Sequence, residues 1–164
     1  MHEYGDGGWV VTIWVDGDSI PRDLRQLLVR RAANSARSAL TLSFISTVTL
    51  SDIPPELLQL VEPGPDAADD SIESRALPGD LVVTRDIPFA ERLAAKGIAV
   101  MNDRGDLFTM ENIAERRSLR DAAAELRLLG MAPPSPRGSQ RTPRDIKRFA
   151  DALDRTLSRM KNKT

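Results

Sequence analysis

Val10-Val11-Thr12-Ile13-Trp14-Val15-Asp16-Gly17-Asp18-Ser19 is the stretch that decides the fold. Its first six residues are apolar or β-branched, with no alternation of polar positions. That is the pattern of a strand buried on both faces of a parallel sheet. The run stops at two aspartates separated by a glycine. Ser19 then reads as a helix cap and Pro21 as a first-turn proline. Leu24, Leu27, Leu28, Arg31 and Ala32 continue an apolar face at helical spacing to about Arg37. A buried strand feeding a helix is the repeating unit of a doubly wound sheet.

The same alternation recurs along the chain. Leu40–Thr47 reads as a second strand, and Leu57–Val61 as a short third one after Pro54-Pro55. Pro63-Gly64-Pro65 breaks the chain before Asp66-Ala67-Ala68-Asp69-Asp70, which opens a short helix reaching Ala76. Asp80 belongs to the Pro78-Gly79-Asp80 turn, and Leu81–Thr84 is a fourth strand whose end carries Asp86. A helix from Pro88 stops at Gly97, and Ile98–Met101 is the fifth strand. Thr109–Leu129 is a long helix with Leu119, Ala122, Ala123 and Leu126 on one face.

The expected organisation is a flexible N-terminus over 1–8 and an α/β domain over 9–130. A Pro-rich connector follows over 131–141, and a basic amphipathic helix over 142–164 docks on the same domain. The apolar stripe of that helix is Ile146, Phe149, Leu153, Leu157 and Met160. The fold class is α/β, with a central, mostly parallel sheet of about five strands flanked by helices on both faces.

Composition narrows the chemistry. The chain has 164 residues, 41% hydrophobic and 29% charged, which suits a folded domain rather than a disordered one. No apolar run approaches the roughly 18 residues of a membrane span, and no secretory signal opens the sequence. The expectation is a cytoplasmic protein without a membrane partner. Cysteine is absent and the only histidine is His2, which removes thiolate nucleophiles and zinc held by sulfur or histidine. Charge is divided unevenly: Arg137–Thr164 carries nine basic and three acidic side chains, against an acidic body. An acidic body with a basic tail fits a cation site beside an anion-binding surface, although a solvated last helix accounts for the same pattern. With four Phe, two Trp and one Tyr, base stacking is not supported.

Carboxylates are left to carry the chemistry. Asp16 and Asp18 end the first strand, Asp86 the fourth, and Asp103 follows the fifth. Asp66, Asp69 and Asp70 share the start of the short helix. Open α/β sheets bind ligands beyond the carboxyl ends of their strands, where strand order reverses. Convergent carboxylates without nitrogen or sulfur ligands select a hard cation, Mg²⁺ or Mn²⁺. Each also has a plainer use: Asp69 and Asp70 complement a helix dipole, and Asp18 competes with Ser19 as a cap.

Val15-Asp16-Gly17-Asp18-Ser19-Ile20-Pro21, Gly79 through Ala90, and Asn102-Asp103-Arg104-Gly105-Asp106-Leu107-Phe108-Thr109 fall in the order of a bacterial family of uncharacterised proteins. The chain resembles this YaiI/YqxD family (UPF0178, DUF188) over roughly residues 12–155. Asn112-Ile113, Arg120-Asp121 and the late Phe149 with Leu153-Asp154 fit the same pattern. The family is regarded as PIN-like. The resemblance therefore implies a three-layer PIN-like fold and a metal-dependent nuclease with an acidic cluster at the sheet edge. Carried over by position, the catalytic set would be Asp16, Asp18, Asp69 or Asp70, and Asp86, flanked by Arg104 and Asn112. Asp16, Asp86 and Asp18 would hold the metal, and Arg85, Arg104 and Asn112 would bind substrate phosphate. Ile20 replaces the family's usual cysteine, Arg85 a small residue, and Asp103 a proline.

The function these residues point to is metal-dependent hydrolysis of a phosphodiester in RNA or DNA. One alternative is a non-catalytic module binding nucleic acid or protein, with Arg85 in the cation's place. Another is a haloacid-dehalogenase-like phosphatase with Asp16 as nucleophile. That class wants a Lys after the Thr84 strand, and Lys96 is the sole Lys of the central region.

Overall fold

In the computed structural model, which describes residues 2–4, 8–35, 40–131 and 141–162, strand and helix alternate from the first turn onward. The elements are β1 (His2–Tyr4), β2 (Gly8–Asp16), α1 (Arg22–Asn34), β3 (Leu40–Ser46) and β4 (Leu58–Leu60). Then come α2 (Ala67–Glu73), β5 (Leu81–Val83), α3 (Ile87–Ala95), β6 (Ala99–Met101), β7 (Leu107–Phe108), α4 (Met110–Leu128) and α5 (Pro143–Asn162). No helix among the described residues is long and apolar enough to cross a membrane.

The sheet runs in the order β4-β3-β2-β5-β6-β7. Strands β2 to β6 are parallel, and β7 returns antiparallel to β6. β1 pairs antiparallel with the start of β2, so the segment expected to be a flexible N-terminus supplies a strand. The five strands legible from apolar runs are the parallel ones. β1 and β7 are three and two residues long and lie in no continuous apolar run of their own. From β2 the chain builds outward through β3 and β4, then crosses to the other side of β2 for β5 and β6. Strand order therefore reverses between β2 and β5.

Pleat parity explains the three layers. Ile13, Val15, Leu42, Phe44, Leu81 and Val83 point to one face and pack with Leu24 and Leu28 of α1 and Phe149 and Leu153 of α5. Ile45, Val82 and Val100 point to the other, against Ile72 of α2, Phe89 and Leu93 of α3 and Ile113 of α4. Each fully buried side chain of this size contributes about 1.5–3 kcal/mol over its exposed state. Helix ends are set by local chemistry. The Asp86 carboxylate caps α3 by accepting from the Phe89 N–H at 2.8 Å, and Thr109 with Asn112 forms a capping box on α4.

One capping assignment changes. Ser19 does not cap α1: Pro21 occupies the N-cap position, with no side-chain cap bond. The face of α4 carrying Leu119 and Leu126 is not in the core, because Ile113 is that helix's buried residue. The connector expected over 131–141 lies outside the described residues except for Met131 and Arg141.

Asp80 is more than a turn residue. It is buried, and its carboxylate accepts from the Thr12 N–H at 3.2 Å, the Trp14 indole N–H at 3.1 Å and the Leu77 N–H at 3.0 Å. These bonds tie the entry of β5 to the middle of β2. Asp80→Ala leaves three donors without their acceptor and is expected to cost about 2–4 kcal/mol in urea unfolding. A loss below about 0.5 kcal/mol, the range of ordinary surface changes, would mean that the staple carries no load.

Candidate acidic site at the strand-order reversal

β2 and β5 pair in register through Val15 and Val83, so the next residue of each, Asp16 and Thr84, stand side by side on the α2 face. The Thr84 hydroxyl donates to Asp16 Oδ2 at 2.9 Å and accepts from the Asp86 N–H at 3.1 Å. One threonine thus holds both strand-end aspartates in place. Asp16 Oδ1 accepts from the Ser19 N–H at 3.3 Å, and the Ser19 hydroxyl accepts from the Arg85 N–H at 3.2 Å, stitching the β2 and β5 loops together. Asp16 is buried, and that desolvation holds its carboxyl above the usual carboxylate range in spite of these bonds.

α2 sits over this junction and contributes Asp69, buried and without a hydrogen-bond donor among the described residues. Burial pushes its carboxyl up to about 7, and the neighbouring Asp16 and Asp86 charges add to the effect, with Arg92 opposing it. Its neighbour Asp70 is mostly exposed and pairs with Arg92 at 3.5 Å. Helix rotation therefore brings Asp69 to the junction and leaves Asp70 outside it. Asp66 starts α2 in the left-handed region at φ 55°, a conformation aspartate tolerates better than most residues.

Together Asp16, Asp18, Asp66, Asp69 and Asp86 line one open groove of about 470 Å³, walled by Ser19, Thr47 and the Pro63-Gly64 turn. Among the described residues, no aromatic side chain lines it. Asp18 is already engaged on that wall. One oxygen accepts from the Ser46 hydroxyl at 2.6 Å, and the other from the Thr47 hydroxyl at 2.9 Å.

The expected phosphate ligands lie elsewhere. The Arg85 guanidinium pairs with Asp103 at 3.4 Å, and Asp103 also pairs with Arg141. Among the described residues it forms no ion pair with Asp16, Asp69 or Asp86, so the cation's place is not taken by Arg85. Arg104 is exposed on the 102–106 turn, and its N–H donates to Asn102. Asn112 is committed to the α4 cap, with its amide donating to the Leu107 carbonyl at 2.9 Å. Neither Arg104 nor Asn112 lines the groove.

The family model of the uncharacterised YaiI/YqxD proteins (DUF188) matches residues 14–159. The chain belongs to this family. Curated YaiI/YqxD-type relatives, each called a UPF0178 protein, cover nearly all of it. The one from Treponema pallidum is 42% identical over 92% of this chain and 83% of its own length. Those of Xanthomonas campestris strain 8004 and Myxococcus xanthus are 42% and 39% identical, each over 90% of this chain and over 90% and 95% of their own lengths. No solved structure matches the chain. The YaiI/YqxD match takes in every residue that lines the acidic groove.

A divalent cation is testable against the donor set. Carboxylate and hydroxyl oxygens are hard ligands, and a buried Asp69 beside two other carboxylates is the environment that a cation relieves. Among the described residues, however, no three carboxylates stand close enough to hold one ion. Magnesium is usually held by one or two carboxylates, with water and substrate phosphate completing the shell.

The sequence alone did not single out Thr84 or Ser19 as site residues, nor Arg92. Thr84 had a legible signal: a hydroxyl at a strand end, two residues before Asp86.

Proposed function

We propose that the protein is a PIN-like, Mg²⁺- or Mn²⁺-dependent phosphodiesterase acting on RNA or DNA. The observation that carries this reading is Asp69: buried, without a donor, and pushed up to about 7 beside Asp16 and Asp86 at the strand-order reversal. A bound cation would supply a water of lowered pKa and charge neutralisation at the phosphate. Asp16 and Asp86 would supply oxygen ligands, the first oriented by the Thr84 hydroxyl and the second by the Phe89 N–H. Asp69 is the remaining acceptor, able to take a proton from water once ionised. Asp18 braces the groove wall through Ser46 and Thr47. Arg104 is an exposed cation outside the groove's lining, and exposed Arg144, Arg155 and Arg159 of α5 offer the backbone further positive charge. With no aromatic among the described residues that line the groove, recognition rests on phosphate and shape.

Calorimetric titration with Mn²⁺ tests this directly and needs no guess about the substrate. The wild type is expected to bind, and Asp16→Asn and Asp86→Asn, shown folded by circular dichroism, to bind at least about tenfold more weakly. Unchanged affinity in both variants would sink the assignment.

A second reading is favoured by one observation, the lack of any three carboxylates within reach of a single ion among the described residues. It is a non-catalytic module that binds nucleic acid through its basic last helix. It expects salt-sensitive binding that a chelator leaves unchanged.

A further inference from the structure

We infer that Arg25, outside the lining of the acidic groove, is a positioning residue that holds Asp16 and Asp18 in place. The inference rests on the metal-dependent reading above. The two aspartates flank Gly17 in the 16–20 turn that joins β2 to α1. From the first turn of α1 the Arg25 side chain reaches back to that turn. Its Nη1 donates to the Ile20 carbonyl at 2.8 Å and to the Gly17 carbonyl at 3.5 Å. Gly17 and Ile20 are buried, and among the described residues no other donor takes either carbonyl. Nε and Nη2 hold the two Asp52 oxygens at 3.1 and 2.7 Å, with the side chains 13% and 5% exposed.

A buried ion pair of this kind adds little net stability, because desolvating both charges offsets their attraction and apolar residues of similar volume often serve a fold as well. Position is what this one supplies. A guanidinium is a rigid planar fork, so fixing Nε and Nη2 on Asp52 aims Nη1 at the 16–20 turn. Asp52 lies in a turn closed by the Ile53 N–H on the Leu50 carbonyl at 3.1 Å. Leu50 packs so closely on Gly17 that a Cβ there would stand 2.9 Å from its Cδ1. The same segment follows Ser46 and Thr47, whose hydroxyls hold Asp18. Ser19, whose N–H donates to Asp16 Oδ1, lies between the two clamped carbonyls. Arg25 thus locks the aspartate-bearing turn against the wall on which Asp18 leans. Carboxylates fixed beforehand bind a cation more tightly than carboxylates that must be ordered on binding.

Calorimetric titration of the full chain with Mn²⁺, beside urea unfolding of the same samples, separates position from stability. Arg25→Lys keeps the charge and loses the fork, and its Mn²⁺ affinity is expected to fall at least about tenfold with the circular dichroism unchanged. The pair Arg25→Met and Asp52→Leu, made together, removes both charges and the clamp. It is expected to keep the wild-type stability and still lose the affinity, a separation that a merely structural role does not give. Asp80→Ala is the control, since it lowers stability from the amino end of β5, away from the groove, and should bind Mn²⁺ as the wild type does. Arg25→Lys and the apolar pair binding as tightly as the wild type would overturn the inference and leave the metal reading standing. An equal loss of affinity in Asp80→Ala would overturn it too, by making the effect one of general stability. A wild type that binds no Mn²⁺ overturns both.

Discussion

Stability of the metal-free protein is expected to fall by about 2–4 kcal/mol as pH rises from about 4 to about 7, and Asp69→Asn to remove most of that fall. The folded protein raises the Asp69 carboxyl from 3.8 to about 7, by burial first and by the charges of Asp16 and Asp86 second. A raised carboxyl means that the folded state binds the proton more tightly than the unfolded chain. Its contribution is complete below the unfolded value, drains away as pH climbs through the window, and is gone above the folded value. Asp16 is shifted in the same direction. Asp52, Glu73 and Asp106 are shifted down, so their contributions are lost instead as pH drops below about 4. Stability should therefore peak in mild acid rather than at neutrality. Because the groove is open to water, the fall stays below the full value of about 4 kcal/mol for three pKa units. Urea unfolding across this pH range measures it. A flat profile from about pH 4 to pH 7 would show that Asp69 ionises freely in the folded state. Mn²⁺ at neutral pH should restore stability in the wild type, because a ligand that binds only the folded form stabilises it by mass action, and not in Asp16→Asn.

Gly105→Ala is expected to destabilise the fold by about 2–4 kcal/mol, summing left-handed backbone strain and overpacking. Gly105 has φ +81°, and a Cβ there would stand 2.8 Å from the Ala152 Cβ and 3.2 Å from the Phe149 Cα. The second contact is helix backbone, which cannot swing aside. The 102–106 turn is where the sheet edge meets α5, and Asp106 fastens the junction through Arg148 at 2.9 Å and Arg116 at 3.3 Å. An added methyl group pushes α5 off Phe149, itself fully buried among the strands. Thermal melting should shift down, and proteolysis should clip α5 first. Gly97→Ala is the control: φ is +74°, but nothing lies within 4 Å of the added carbon, so the cost is backbone strain of about 1 kcal/mol. Equal shifts for the two variants would mean that the close approach to α5 does not matter.

The parallel strands were legible because burial on both faces demands unbroken apolar runs, and Val10–Val15, Leu81–Val83 and Ile98–Met101 are such runs. Asp16 and Asp86 stood out because a buried strand has no packing reason to end in a carboxylate. β1 and β7 did not stand out, since neither lies in a continuous apolar run. The long stripe of α4 was legible as amphipathic, but periodicity says only that a face is apolar, not what covers it.

By itself, then, the sequence determined the α/β alternation, the family, and the exclusion of thiol and histidine chemistry, all matters of composition and local period. Tertiary structure decided which aspartates meet. Asp69 rather than Asp70 enters the groove because of the rotation of α2. Arg85 turns to Asp103 because a paired carboxylate stands beside it. Asp80 leaves the turn for the interior because β2 offers it two donors. Each of these depends on which groups the crossovers bring within a few ångströms, and residue order carries that information only through the folded chain.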